Sequence, residues 1–415
     1  MMRTALGIWI LTAVVCIGRG HHHIGHVVKD HSHQDTALES STNTASLVRS
    51  ANKEFAFRLY RKLAPIADSE GKNTFCSPSS VSIALAALSV GAREETHRQL
   101  FSGLGFNGSL LTQADVNQAF HALLLKENRL SGDISEGAAV FVANHFKPEP
   151  AFLDTLKQSY LAEGFNVDFT NPTDSADTIN NYVSEKTHGK IDKLVENLNP
   201  ATIMYLISYI YYKGKWESPF DPQRTREDTF IVDENTKVPV QMMNREGQFD
   251  VYNDRDINTT VLHLPFNSSF SMLLMLPKDM ATLENNLGST YITKWLKWKR
   301  SSKYDVFIPK ISIKTSYILN DVLAEMGMID MFGQNADLSG ISPGRNLAVS
   351  EVVHQATLDL DEAGATATAV TGIGIVPLSI QFTPVLKFNQ PFMAAIIDRD
   401  TEDILFIGKI VNPNK

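Results

Sequence analysis

The segment from Glu362 to Ser379 contains residues that could add a strand to a β-sheet. From Ala365 to Val370, alanines alternate with threonines and valine, so an extended backbone would place small apolar groups on one face. Two glycines and Pro377 then interrupt any regular element. No charged side chain occurs from Ala363 to Leu386. This pattern predicts an exposed loop whose first half can become a strand, which is what a conformational trap requires.

Three other interpretations of this segment compete. A membrane span fits poorly, because the run is rich in glycine and threonine and contains Pro377. A dinucleotide-binding fingerprint is weaker still, since Gly372 and Gly374 are followed by Pro377 where the third glycine belongs. An ordinary flexible loop is the serious alternative on composition alone.

Six histidines form a second group with chemical potential, at His21, His22, His23, His26, His31 and His33. Clustered imidazoles could bind a metal ion, or become charged below about pH 6.5. No carboxylate or cysteine at metal-site spacing accompanies them. We therefore favour a disordered, solvated tail over residues 21–46 and predict neither a metal site nor a cofactor.

Motifs of common enzyme classes are missing from the sequence. We find no G-x-S-x-G elbow, no H-E-x-x-H helix and no G-x-x-x-x-G-K-[ST] loop. Carboxylates and histidines are scattered without a spacing that nominates a general acid–base pair. We therefore predict that the chain is not an enzyme.

The N-terminus and the overall charge limit the class of protein. Arg3 precedes an apolar run from Ala5 to Ile17 and the small residues Gly18 and Gly20, a pattern typical of a secretory signal peptide over residues 1–20. We read no transmembrane helix in the remainder and expect a secreted, extracellular protein. A net charge of −8 argues against a nucleic-acid binder.

Cysteine usage indicates how the fold is held together. Cys16 lies in the predicted signal peptide, which leaves Cys76 alone in the mature chain. A secreted protein without an internal disulfide must be stabilised by its hydrophobic core. At 415 residues the chain is long enough to bury such a core.

Hydrophobic periodicity outlines the elements that must position these residues. Helices are predicted at residues 47–63, 81–88, 94–101, 115–126, 151–160 and 174–187. Strands are predicted at residues 137–143, 201–212, 238–243, 259–264, 269–276, 305–313, 386–389, 393–398 and 404–411. Helices dominate the first half and strands the second, which favours an α+β fold. No repeat or linker divides the chain, so residues 47–415 are predicted to form one domain.

Four sequence blocks resemble those of the serpin family. They are Asn73–Ser82, Tyr211–Phe220, Ala336–Ile341 and Phe388–Phe392, which match the family's N-F-x-S-P-x-S-I block, its F-K-G-x-W-x-x-P-F block and two further blocks. Their order and spacing agree from about Leu47 to the end, and the secreted antitrypsin and antichymotrypsin group looks most similar. The resemblance implies three β-sheets, about nine helices and an exposed reactive-centre loop.

The resemblance also implies a reactive bond and a hinge. Family inhibitors are cut after the seventeenth residue counted from a hinge glutamate, and with Glu362 as the first residue this bond is Leu378–Ser379. The implied hinge consists of Glu362, Gly364, Ala365, Thr366, Ala367, Thr368 and Ala369. The chain departs from the family at Ala365, where inhibitors usually have threonine or serine.

Two further clusters are implied at the central sheet. Ser77, Ser80, Ser208 and His354 match a polar cluster under the point where the sheet opens, called the shutter, with Ser208 in place of the usual asparagine. Trp216, Lys310 and Glu362 match contacts at the top of the sheet, called the breach. The alternative interpretation of both clusters is ordinary core packing.

Surface chemistry adds three sequons and a basic cluster. Asn107, Asn258 and Asn267 begin N-x-[ST] sequons, which are meaningful where they are exposed. The basic cluster contains Lys294, Lys297, Lys299, Arg300 and Lys303. Some relatives bind heparin with a basic helix in this region, so a glycosaminoglycan is a candidate partner, with a solvated charged face as the alternative.

Together these observations predict a secreted, monomeric suicide inhibitor of serine proteases. A Leu–Ser bond preceded by Val376 and Pro377 suits chymotrypsin-like pockets, with elastase-like pockets second. The competing prediction is a non-inhibitory serpin that carries a hormone or another small molecule.

Overall fold

The computed structural model describes residues 32–130, 134–344, 347–363 and 383–415, with the backbone alone at 32–42 and 127–130. By its internal contacts the chain divides into two units, Met1–Ser40 and Ser41–Lys415. The described part of the first unit is the helical stretch 32–40. The predicted signal peptide and residues 21–31 of the predicted tail lie outside the described residues.

Nine α-helices occur in the described part of the chain. They are α1 Ser32–Ser69, α2 Pro78–Ser89, α3 Glu94–Leu104, α4 Gln113–Leu130, α5 Pro150–Tyr160, α6 Pro172–Lys186, α7 Met280–Asn286, α8 Ser289–Trp298 and α9 Asn320–Glu325. The first six correspond to the predicted helices, whereas α7, α8 and α9, with seven, ten and six residues, were not predicted.

Helix α1 begins much earlier than predicted. Residues 32–46 continue the helix that was expected to begin at Leu47, and this differs from the disordered segment expected there. The strong helix formers Ala37, Leu38 and Glu39 lie in this stretch and favour the helical backbone.

Fourteen strands occur in the same described ranges. They are β1 Thr74–Cys76, β2 Ile134–Ala143, β3 Glu163–Val167, β4 Met204–Lys213, β5 Arg226–Ile231, β6 Lys237–Asp254, β7 Thr259–Pro265, β8 Phe270–Pro277, β9 Arg300–Pro309, β10 Ile311–Ile318, β11 Glu351–Leu360, β12 Val385–Lys387, β13 Phe392–Asp398 and β14 Ile404–Ile410. Sequence periodicity did not predict β1, β3, β5 and β11.

Hydrogen bonding groups these strands into two sheets. The first has five strands in the order β10-β11-β4-β2-β3, and the second has nine strands with β6 near its middle. Strand β6 has 18 residues: its beginning pairs with β5 and its end with β7, while β9 pairs along most of its length. The resemblance implied three sheets. Two of them are joined here through the continuous strand β6 and form the nine-stranded sheet.

One predicted strand, residues 305–313, is two strands in different sheets. Strand β9 belongs to the nine-stranded sheet and β10 to the five-stranded sheet. Lys310 lies between them, and its backbone N–H donates to the carbonyl oxygen of Gln241 at 2.8 Å. The chain changes sheets at this residue, which places Lys310 at the junction of the two sheets.

The five-stranded sheet is buried on both faces. Helix α2 packs against β2 and β4 on one face, and all its residues except Ser79 are buried. The opposite face packs under α6 and the following segment, where Ile179, Val183 and Ile191 are fully buried against Ile207. The residues at its centre therefore lie in a low-dielectric interior, where each polar group needs a partner.

Candidate functional site

Strands β4 and β11 form the parallel pair in the middle of the five-stranded sheet. They pair over nine residues, from Glu351 opposite Tyr205 to Asp359 opposite Lys213. Their outer neighbours, β2 and β10, run antiparallel to them. Strand β11 ends at Leu360, just before Glu362 and the predicted reactive-centre loop. The chain that leaves β11 therefore begins beside the central pair β4–β11, whose two strands are parallel.

A hydrogen-bonded network connects these two strands to helix α2. His354 on β11 lies directly opposite Ser208 on β4, and its Nδ1 is 3.0 Å from the Ser208 hydroxyl. The Ser208 hydroxyl is in turn 2.9 Å from the hydroxyl of Ser80. All three side chains and Ser77 are fully buried. The structure thus brings together the four predicted shutter residues, and serine reaches its partners directly where the family usually has asparagine.

The hydrogen-bond donors in this network can be assigned from the backbone. The N–H of Ser77 donates to His354 Nε2 at 3.0 Å, so the neutral imidazole carries its proton on Nδ1. His354 donates that proton to the Ser208 hydroxyl, which can in turn donate to the Ser80 hydroxyl. The Ser80 hydroxyl donates to the Ser77 carbonyl oxygen at 3.4 Å. Each hydroxyl then both accepts and donates, which satisfies the whole buried group.

Burial also fixes the charge state of His354. The imidazole is completely removed from solvent, and desolvation lowers its pKa to about 3. The side chain is therefore neutral at physiological pH, as the network requires, because a protonated Nε2 could not accept the Ser77 N–H.

Glu362 lies at the other end of the strand pair, in a cluster of charged and hydroxyl groups. Its Oε2 is 2.8 Å from the Lys310 ammonium, and its Oε1 accepts the Thr225 hydroxyl at 2.6 Å. Burial alone would raise the pKa of Glu362, but the hydrogen bonds from Lys310 and Thr225 outweigh it and hold the pKa below its ordinary value. Thr225 was not predicted, because nothing in its local sequence marks it as a partner of Glu362.

Trp216 fixes the backbone on either side of Glu362. Its indole Nε1–H donates to the Asp361 carbonyl oxygen at 2.8 Å, and its backbone N–H donates to the Ala363 carbonyl oxygen at 3.1 Å. The ring is buried and stacks on Phe266 with a centroid distance of 4.6 Å. The three predicted breach residues are therefore close together, and the chain is anchored through Ala363, which includes Glu362, the first residue of the predicted hinge.

Most of the predicted reactive-centre loop follows Ala363 and is outside the described part of the chain. The hinge residues after Glu362, from Gly364 to Ala369, and the predicted reactive bond Leu378–Ser379 lie outside the described residues. The chain is described again from Thr383, and β12 then pairs in parallel with β9.

Next to His354, the sheet carries a buried polar side chain that the sequence did not single out. Gln355 is fully buried on the face opposite to His354, between Tyr209 on β4 and Ser316 on β10. Among the described residues, neither its amide oxygen nor its amide nitrogen has a hydrogen-bond partner, and the same holds for the Thr357 hydroxyl two residues later. An unpaired buried amide destabilises the folded state, so this face of β11 weakens the closed sheet.

The predicted sequons fall on exposed asparagines. Asn107, Asn258 and Asn267 are all exposed, each in a turn or loop between regular elements. All three side chains are therefore accessible, as the attachment of an oligosaccharide requires.

The basic cluster around α8 is largely neutralised within the protein. Lys294 binds Asp254 and Asp256, Lys299 binds Asp250, and Lys303 binds Glu246, with nitrogen–oxygen distances between 2.7 and 3.2 Å. The Lys297 ammonium lies 5.4 Å from the ring centre of Trp298. Five basic side chains are thus opposed by four carboxylates, which leaves a small net positive charge for a polyanion.

Comparison with known proteins identifies the family. A family model described as "Serpin (serine protease inhibitor)" matches residues 50–413. The chain belongs to the serpin family. Its α+β fold and the four sequence blocks are those of a serpin, as the resemblance implied, and the family is one of protease inhibitors rather than of enzymes.

Individual serpins show how similar these relatives are. The alpha-1-antiproteinase of Rattus norvegicus is 35% identical over 413 residues, covering 99% of this chain and 98% of the relative. The alpha-1-antitrypsin of Meriones unguiculatus is 38% identical over 390 residues, covering 93% of each chain. A crystal structure of human thyroxine-binding globulin in complex with thyroxine superposes with a TM-score of 0.82 at 34% identity, covering 89% of this chain and 99% of that structure.

The neutral state of His354 makes stability depend on pH. Its pKa is about 3 in the folded protein and about 6.5 when unfolded, so the unfolded chain binds more protons between these values. The neutral imidazole therefore contributes its full stabilisation above about pH 6.5. Below that pH the free energy of unfolding decreases, by about 2 kcal/mol at pH 5. We expect the loss of unfolding free energy between pH 7.5 and 5.0 to be smaller by about this amount in His354→Gln. The exposed His145→Gln is the control, and an equal pH dependence in wild type and His354→Gln would contradict the assignment.

The unpaired amide of Gln355 predicts a stabilising substitution. Methionine has a similar length and no hydrogen-bonding requirement, so Gln355→Met should raise the free energy of unfolding by about 1–3 kcal/mol. Thermal unfolding followed by circular dichroism measures this change. Gln248→Met, at an exposed position on β6, should leave the unfolding temperature nearly unchanged. A lower unfolding temperature for Gln355→Met would show that the amide is satisfied in the folded protein.

Proposed function

We propose that this serpin is a secreted suicide inhibitor of chymotrypsin-like serine proteases, with elastase-like enzymes as second targets, and that it is cleaved at Leu378–Ser379. The observation that carries the proposal is the parallel pair β4–β11, because the chain that leaves β11 continues into the small, uncharged residues of the predicted hinge.

The chemistry begins as in ordinary proteolysis. The protease serine attacks the carbonyl carbon of Leu378, the peptide bond to Ser379 breaks, and Ser379 leaves as a free amine. The protease is then bound to Leu378 through an ester. The freed segment from Gly364 to Leu378 has 15 residues, which exceeds the ten residues of β11 and suffices to run along its whole length.

The direction of the strands favours insertion between β4 and β11. A chain that folds back after β11 runs antiparallel to β11, and because β4 is parallel to β11 it also runs antiparallel to β4. Insertion therefore replaces one parallel ladder by two antiparallel ladders, which are slightly more stable per residue. One additional ladder of about ten hydrogen bonds at about 1 kcal/mol each supplies on the order of 10 kcal/mol.

That free energy is comparable to the stability of a whole protein domain, so it can distort the tethered protease before the ester is hydrolysed. The small side chains from Ala365 to Ala369 support this step. A large or charged group at these positions would have to be buried without a partner as the new strand enters the sheet.

The predicted cleavage site supports the target class. Leucine at position 378 presents a medium-sized apolar side chain, and Pro377 with Val376 favours an extended backbone before it. Trypsin-like enzymes require arginine or lysine at this position. We expect the partner to be an extracellular protease, held in a covalent complex with one serpin monomer. Among the described residues, no helix combines the length and the apolar character needed to cross a membrane.

A carrier of a hormone or another small molecule is the second candidate function. The observation that favours it is the structural similarity to a serpin solved with bound thyroxine. The hinge sequence favours inhibition instead, because it contains no bulky or charged side chain between Ala363 and Thr371.

The two candidates make different predictions for a mixture with protease. We expect the mature protein, incubated with chymotrypsin, to form a band at the summed mass on a denaturing gel, together with a released peptide beginning at Ser379. Ala365→Arg should abolish the band and leave cleaved serpin, because arginine blocks strand entry. Ala365→Thr is the control and should retain the complex. Loop cleavage without any covalent complex in the wild type would favour the carrier.

Glycosaminoglycan binding at the basic cluster is expected to be weak, because most of its lysines are paired with carboxylates. On a heparin column the wild type should elute at or below about 0.15 M salt, where exposed charges are already strongly screened. Retention to much higher salt, lost when both Lys297 and Arg300 are replaced by glutamine, would establish a heparin site despite the ion pairs.

A further inference from the structure

An open cleft of about 620 Å³ lies beside the C-terminal end of α8, between that helix, the end of β6 and the beginning of β9. We call it the Trp298 cleft, and its charged and aromatic side chains are Tyr252, Arg255, Asp256, Lys294, Trp298, Arg300 and Tyr304. It lies outside the strand pair and the breach contacts, and the proposed inhibition does not use it.

The alternation of β9 divides the basic cluster into two faces. Arg300, Ser302 and Tyr304 line the cleft, so the intervening Lys303 projects from the other face of the strand. There Lys303 binds Glu246 at 2.7 Å. The cationic groups of the cluster therefore differ in role, and Arg300 belongs to the cleft whereas Lys303 does not.

Aromatic surface distinguishes the cleft from an ordinary charged face. Trp298 is 57% exposed, the highest exposure among the described tryptophans, since Trp216 and Trp295 are each 1% exposed. The rings of Tyr252 and Tyr304 are half-buried in the same cleft. An exposed indole in a cleft that two phenol rings also line can stack against a flat ligand.

Two ion pairs and one buried hydrogen bond hold the wall of the cleft at Lys294 in place. Lys294 Nζ lies 3.1 Å from Asp254 Oδ1 and 2.7 Å from Asp256 Oδ2, and it is 5.8 Å from the ring centre of Tyr252. Asp254 also accepts the indole N–H of Trp295 at 2.8 Å. These contacts offset the charge of Lys294, which leaves the exposed guanidinium groups of Arg255 and Arg300 to bind an acidic group on the ligand.

We propose that the Trp298 cleft binds a small aromatic anion, a flat ring system that carries a carboxylate, sulfonate or sulfate group. The ring stacks on Trp298 and its tyrosine neighbours, while Arg300 and Arg255 bind the acidic group. The volume accommodates a molecule of two or three rings. This ligand class is independent of the proposed protease inhibition, because no residue of β4 or β11 lines the cleft.

The test uses 8-anilino-1-naphthalenesulfonate as the probe and N-phenyl-1-naphthylamine, the same ring system without the sulfonate, as the uncharged comparison. Titration of the full mature chain, followed by the fluorescence of the probe, measures the dissociation constant. We expect Trp298→Ala and Arg300→Gln each to weaken sulfonate binding by about tenfold.

The control variant is Lys303→Gln, which removes the same charge from the same strand but outside the cleft. It should change the dissociation constant by less than about twofold. Equal effects of Lys303→Gln and Arg300→Gln would indicate general electrostatic attraction and overturn the proposal. Unchanged binding in Trp298→Ala, or equally tight binding of the uncharged probe, would also overturn it. Circular dichroism establishes that each variant is folded, and the formation of a covalent protease complex is assayed separately.

Discussion

The parallel ladder between β4 and β11 is the interaction on which the rest of this structure depends. It brings together two segments that are about 150 residues apart in sequence, and the helices on both faces of the sheet pack against it. It is also the least favourable pairing in the centre of this sheet, because its two outer neighbours are antiparallel. The topology therefore holds the sheet in a state that a further antiparallel strand would improve.

Two consecutive residues of β11 act on this ladder in opposite directions. His354 faces α2 and connects the two strands through a satisfied chain of hydroxyl groups. Gln355 faces the segment after α6 and buries an amide without a protein partner. Because successive side chains on a strand point to opposite faces, one face can stabilise the closed sheet while the other weakens it. The two side chains therefore make contributions of opposite sign to the stability of this sheet, each on the order of 1–3 kcal/mol.

The sequence predicted the fold class and the six helices of the first half, because those segments have clear apolar periodicity. It did not predict β11, the strand that matters most, since His354, Gln355 and Asp359 interrupt the apolar pattern of Glu351–Leu360. The shutter and breach residues came from the family resemblance alone. Thr225 and Gln355 carry no local signal, because their neighbours Glu362, Tyr209 and Ser316 are distant in sequence and only the folded sheet brings them near.

The basic cluster shows that a charge pattern in a sequence does not reveal which charges are paired in the fold. Lys294, Lys299 and Lys303 are close together in sequence, but the carboxylates that neutralise them lie on or just after β6, about 40 to 60 positions earlier. Pairing β6 with β9 brings Lys303 and Glu246 together, and it leaves Arg300 and Tyr304 on the face of β9 that lines the Trp298 cleft. The same register that pairs Lys303 with a carboxylate therefore contributes an arginine to a cleft that aromatic rings also line. Such an arrangement selects a ligand by its shape as well as its charge, because stacking requires a flat ring, which electrostatic attraction alone does not.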